Sequence, residues 1–236
     1  MGDDCVKRVC IHQPDFLPYL GFFHRLLSCD TFVILDDVQF LRRGWHHRDK
    51  IKTPAGVRWL SLSVKKGDYQ QQIKQVCLSN GDTWIESNLN LIRENYRKAP
   101  YFEENFPSIE AIYRTGFDLM IDLNLAFLNY FYVLFETEIE VVLSSDLRVE
   151  GRRNEKLKNL VSAVGGNVYL SGLGARSYLD EEVFQKAGIS VEWQEFQHPV
   201  YSQLQEDFIP NLSCLDVLLN SGPDSKDVLW SSRSPE

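Results

Sequence analysis

A disulfide or zinc pattern, a membrane-length apolar run and a surplus of positive charge are all missing from this chain. The five cysteines, Cys5, Cys10, Cys29, Cys77 and Cys214, contain no C-x-x-C pair, and their number is odd. No disulfide framework or closed zinc site can be read from that spacing. With no secretory signal in view, the reading is a protein of the reducing cytoplasm, with three of the cysteines set in apolar runs as small core residues. The most apolar stretch, residues 119–135, is interrupted by Asp122, Asn124 and Asn129. It falls short of the roughly 20 residues a spanning helix needs, so a buried helix is expected and no membrane partner. Lysine and arginine number 25 against 33 acidic residues, for a net charge of -8. That balance argues against general binding to DNA or acidic lipid. Internal repeats, low-complexity tracts, a Walker loop, a G-x-G-x-x-G and a G-x-S-x-G elbow are absent too. Neither Ser171 nor Ser213 sits in a His and Asp order that suggests a hydrolase triad.

What remains is a chain of 236 residues, 44% hydrophobic, enough for one sizeable core. Its most informative stretch follows a β-branched run at residues 6–11. His12, Gln13, Pro14 and Asp15 make a polar turn, and Gly21 and His24 lie in the helical pattern that follows. A second strand pattern, residues 31–35, ends in Asp36, Asp37, Val38, Gln39 and Phe40. Strand, turn, helix, strand is the opening of an open α/β sheet, whose ligands bind at the C-terminal strand ends. Gly21 would let a ligand approach the backbone closely.

Strands are also expected at 57–64 and 73–78, joined through Lys66-Gly67-Asp68 as a hairpin. Helices are expected at 84–97, capped by Asp82, at 101–113, broken near Pro107, and at 119–135. The alternation then resumes: strand 139–143, helix 154–164, strand 168–170, helix 178–187, strand 189–196. Ser213 should cap a helix reaching Asn220. The fold class is therefore α/β, a Rossmann-like parallel sheet of about five strands. A hairpin and helices form an inserted cap at about 41–137 of a single domain, 1–225, and residues 226–236 form a loose tail.

Three stretches besides the His12 turn carry chemistry. Residues 42–52 hold five of the 25 cations, including Arg48, Lys50 and Lys52. Against an acidic background this is a candidate clamp for phosphate or carboxylate, with a solvated loop as the bland alternative. Alanine at Arg48 or Lys52 is expected to weaken anion binding and spare the fold. His46 and His47 are adjacent and point apart in an extended chain, so no metal site is expected. Tyr169, Ser171, Gly172, Gly174 and Tyr178 surround a Gly-rich turn after a strand, able to offer backbone N–H groups to an anion. Tyr201 and Gln203 are candidate pocket residues. His12, Gln13, Asp37, Arg48 and Ser171 are expected around one cleft.

Taken together, His12-Gln13-Pro14, Leu17-Pro18, Gly21, Asp36-Asp37-Val38-Gln39-Phe40, Arg48, Ile51-Lys52, Trp59-Leu60, Tyr169-Leu170-Ser171-Gly172, Tyr178-Leu179, Tyr201-Ser202-Gln203, residues 213–216 and Gly222 resemble the WbqC-like family of bacterial O-antigen and related biosynthetic clusters. The resemblance covers nearly the whole chain. It implies a transferase, including glycine transfer to amino sugars. The first βαβ unit is also distantly similar to pantothenate synthetase and other nucleotidyltransferases, which bind ATP on this edge. Here Tyr19-Leu20-Gly21-Phe22 stands in place of H-x-G-H, and K-M-S-K-S is absent.

The function expected from these readings is an amide-forming acyl or aminoacyl transferase acting on a small amine, such as a nucleotide-linked amino sugar. His12 or Asp37, or else His24, would take the amine proton. Gln13, Asp15, Gly21, Asp36, Gln39, Arg48, Lys50, Lys52, Tyr169, Ser171, Gly172, Tyr178, Tyr201 and Gln203 would bind substrate. The donor is left open between aminoacyl-tRNA, a carrier-protein thioester and a carboxylate activated by ATP. The alternatives are an ATP-dependent nucleotidyltransferase or acyl-adenylate ligase, and a noncatalytic module that binds a nucleotide or sugar.

Overall fold

The computed structural model describes residues 6–232; Cys5 and the end of the expected tail lie outside them. In chain order the elements are β1 (Arg8–His12), α1 (Leu20–Leu27), β2 (Thr31–Ile34), β3 (Arg48–Thr53), β4 (Gly56–Ser61), α2 (Thr83–Tyr96), α3 (Phe102–Tyr113) and α4 (Met120–Leu134). There follow β5 (Glu140–Leu143), α5 (Ser144–Leu147), α6 (Asn154–Ala163), β6 (Val168–Ser171), α7 (Glu181–Gln185), β7 (Ser190–Trp193), α8 (Cys214–Ser221) and α9 (Ser225–Trp230). They fall into two compact units. Of the described residues, the first takes 6–13, His24–Asp37 and Glu138–Phe196; the second takes Pro14–Phe23, Val38–Thr137 and 197–232.

The first unit is a five-stranded parallel sheet in the order β5-β2-β1-β6-β7. Val9 pairs with Thr31 on one side and with Tyr169 on the other, which places β1 at the centre. A strand covered on both faces can be apolar throughout, and β2 is buried at all four positions. One core gathers Val9, Ile11, Val33, Leu160, Val161, Tyr169, Phe184 and Ile189. Each such side chain contributes about 1.5–3 kcal/mol on burial. Tyr169 stacks on Phe184 with ring centroids 5.1 Å apart. The strand expectations hold to within a few residues at each end. The helix expected at 178–187 is shorter: a 3-10 turn occupies Leu173–Ala175, and α7 starts only after Asp180, whose side chain accepts the Glu182 N–H.

The second unit combines a hairpin with helices. The hairpin differs from the expected one. β3, inside the basic stretch, pairs antiparallel with β4 from Arg48↔Ser61 to Thr53↔Gly56. Pro54 and Ala55 form its two-residue turn, and Gly56 takes a φ of +101° that favours glycine. Ile73–Gln75 is a 3-10 turn, and only an isolated bridge, Val64↔Leu78, joins the two segments expected as strands. α3 runs through Pro107 without a break. Asp82 stands at the N-cap of α2 but makes no capping bond, whereas Ser213 caps α8 by accepting the Leu215 N–H. A helix, α9, stands where Ser and Asp content reads as loose chain. The core is aromatic: Phe23 lies 5.6 Å from Phe131 and 5.0 Å from Phe135, and Phe16 packs edge-on against Tyr113 and Phe127. Among the described residues no helix is long and apolar enough to cross a membrane.

Candidate functional site

In the first unit the polar groups gather where parallel strands end side by side. His12 closes β1, Asp36 and Asp37 follow β2, and Ser171 and Gly172 end and follow β6. The His12 Nδ1 lies 2.8 Å from the Gln13 carbonyl oxygen. The carbonyl can only accept, so Nδ1 carries the proton of this bond. Asp36 is buried and accepts from the Ser145 N–H (2.9 Å), the Ser145 hydroxyl (2.7 Å) and the Ser144 hydroxyl (2.9 Å). Asp37 pairs with Lys156 at 2.6 Å and shares with Asp36 the single Ser144 hydroxyl proton, at 2.6 Å. Burial pushes the Asp37 carboxyl up, but the Lys156 and Ser144 hydrogen bonds outweigh it and hold the group below the usual range. A carboxylate so held is a weak proton acceptor, and both aspartates anchor the start of α5. His24 is buried, with Nδ1 3.0 Å from the Gln194 amide and its ring against Phe196. Ser171 and Tyr169 are buried, and Tyr178 is exposed.

The second unit holds Asp15, Gly21, Gln39, Arg48, Lys50, Lys52, Tyr201 and Gln203. A cavity of about 420 Å³ there is lined by Asp15, Pro18, Tyr19, Trp45, Asp49, Lys50 and Asn211. Backbone bonds assemble it. Phe16 N–H donates to the Trp45 carbonyl, Cys214 N–H to that of Pro18, and Ser213 N–H to that of Lys50. Asn124 clamps the two loops from below: its amide donates to the Pro14 carbonyl at 2.9 Å and to the His46 carbonyl at 2.8 Å. The asparagine that breaks the apolar run therefore fixes the cavity wall. Gly21 serves Tyr19, because a Cβ at Gly21 would stand 2.3 Å from the Tyr19 ring.

Asp49 is a buried carboxyl in the cavity lining. It is buried on β3, and its Oδ1 accepts the Lys50 N–H at 2.6 Å. Burial pushes its carboxyl well above the ordinary value, and the charge of Asp15 adds to the shift. A carboxyl raised in this way can exchange a proton nearer neutrality. Lys50 sits 5.3 Å from the Trp45 ring and 5.9 Å from the Trp59 ring, and these two rings lie 5.5 Å apart. His46, buried beside the cavity, has its Nδ1 3.6 Å from Asp15 and no hydrogen bond at either ring nitrogen. Asp49 is the residue that sequence reading misses. Its signal is only the alternation of Asp49 with Ile51 and Thr53.

The cations of residues 42–52 meet different partners. Lys52 is 3% exposed, and its ammonium donates to Gln203 Oε1 and the Gln205 carbonyl, both at 3.3 Å, and to the Asp207 carbonyl. Its N–H donates to the Tyr96 hydroxyl; Tyr96 and Tyr201 hydroxyls in turn donate to Asp216 at 2.7 and 2.8 Å. Lys52, Tyr201 and Gln203 thus belong to a buried network that ties β3 to α8. Arg48 donates to the Arg43 carbonyl and covers the Trp59 face at 4.5 Å. Gln39 donates to the Tyr69 carbonyl. Gln39 borders a second cavity, of about 660 Å³, whose lining includes Arg42, Arg43, Lys65 and Lys66 against Asp68.

Comparison with known proteins adds the following. The family model described as the WbqC-like protein family matches residues 13–228. The chain is 33% identical over 230 residues to an uncharacterized protein of Mycobacterium tuberculosis, Rv1507c, across 95% of this chain and 98% of that one. No solved structure matches.

Proposed function

The chain belongs to the WbqC-like protein family, and from that premise we propose that it is an amide-forming acyl or aminoacyl transferase whose amine acceptor enters the Asp15–Asp49 cavity. One observation carries the reading: two carboxylates and two aromatic rings, Tyr19 and Trp45, line a single cavity, and one of the carboxyls is pushed well up. Paired carboxylates and ring faces are the groups that attract an ammonium. An amine must lose a proton before it attacks a carbonyl, and Asp49, with its raised pKa, is the base within reach. Lys50, whose charge lies over Trp45 and Trp59, would steady the oxyanion as the tetrahedral carbon forms. The departing thiol, phosphate or tRNA hydroxyl then leaves with the electron pair. The cavity bordered by Arg42, Arg43, Lys65 and Lys66 suits the anionic portion of such a donor.

The test offers an amino-sugar nucleotide with three donors in parallel: an acyl thioester, a carboxylate with ATP, and an aminoacyl-tRNA. Amide product is followed by mass spectrometry. With one donor the product should form, and D49N should lower kcat/KM about 10²–10⁴-fold, the usual weight of a general base. Amine binding without product from any donor would leave a noncatalytic binding module. Full activity in D49N would remove Asp49 from the reaction and favour His12, with H12A as the deciding variant.

A further inference from the structure

Arg25 lies in the last turn of α1 and is only 8% exposed. Its Nε is enclosed without a hydrogen-bond partner. Among the described residues no carboxylate pairs with the guanidinium. Such a side chain is unusual, since buried cations are paired almost without exception. The negative end of α1 accounts for part of its placement, but it supplies no acceptor for the fork of N–H groups.

What faces the guanidinium is glycine. A Cβ at Gly172 would stand 2.2 Å from Nη1, so any side chain there would displace the arginine. Gly172 directly follows β6, at the strand end where open parallel sheets receive ligands. The charge also reaches neighbouring strands. Burial pushes the Cys10 thiol up to about 11 against the opposing pull of Arg25, and Tyr169 is subject to the same two influences. The cation therefore stands beside β1 and β6 of the first unit, held in place and lacking a counter-charge.

We propose that Arg25, seated against Gly172, is a binding site for the anionic group of a ligand, a phosphate or a carboxylate. The planar fork takes either anion through two parallel hydrogen bonds. A nucleotide or phosphopantetheine would supply the first and a free amino acid the second. The inference does not depend on the amine reading of the Asp15–Asp49 cavity, and D49N should leave it untouched.

Calorimetric titration and thermal melting of the full chain test it, with inorganic phosphate, pyrophosphate, acetate and glycine as separate probes. One anion series should bind and raise the melting temperature by mass action. The phosphate arms and the carboxylate arms identify which. R25M should weaken that binding about tenfold to a hundredfold. Without added anion R25M should melt at or above the wild-type temperature, because an apolar side chain replaces an uncompensated charge. G172A keeps the charge, displaces the fork and should weaken binding as well. The proposal is overturned if no probe binds, if R25M and G172A bind as wild type does, or if R25M melts far below wild type or fails to fold, which would mark Arg25 as structural.

Discussion

Lys52 illustrates how burial changes the meaning of a residue. In the sequence it is one cation in a charged run; in the fold its ammonium satisfies two backbone carbonyls and the Gln203 amide oxygen. K52M leaves those acceptors enclosed, and unfolding in urea should report a loss of about 1–3 kcal/mol. Unchanged stability would return Lys52 to the ligand clamp. His47 carries a pH prediction. Burial first, and the charge of Arg48 next, lower its pKa from 6.5 to about 4. Between these values the unfolded chain binds the proton and the folded chain does not, so stability falls as pH drops from 6.5 towards 4. H47Q should flatten that limb of a melting-temperature profile, and a parallel curve would exclude His47 as its source. Asp15 and Lys50, both cavity residues, were legible as polar groups beside strands. Asp49 and Arg25 were not, because composition cannot reveal that a charged side chain faces inward.

At the level of elements, the parallel sheet was legible because its strands are β-branched runs closed by polar turns. The hairpin was misplaced for an equally physical reason. Arg48, Asp49, Lys50 and Lys52 make β3 look like a solvated loop, yet Asp49, Ile51, Lys52 and Thr53 are buried. Polarity predicts exposure only until tertiary partners intervene. The end of α8 gives an element-scale prediction. Gly222 has a φ of +52°, and a Cβ there would lie 2.3 Å from the Tyr101 ring. G222A should therefore destabilise the chain by about 1–3 kcal/mol. Circular dichroism melts would show this, and a melting temperature equal to wild type would mean that Tyr101 moves aside freely.

On the scale of the whole molecule, each unit is assembled from three separate stretches of chain. Pairings such as Arg8 with Val168 join residues far apart in sequence. Non-local pairing slows folding, and chains of this length commonly pass through intermediates. Refolding from urea, followed by tryptophan fluorescence, should thus be multiphasic; a single fast exponential would contradict this. Strand order has a further consequence during synthesis. β1 is made early, but β6, its partner on one side, is made about 134 residues after β2 ends. At ribosomal speeds that gap lasts roughly 7–27 s. Throughout that interval one edge of β1 has no native partner, and β2, buried at every position in the finished fold, has no finished sheet to enter. Unpaired strand edges of this kind are prone to aggregate, and slower translation would lengthen the time for which they are open.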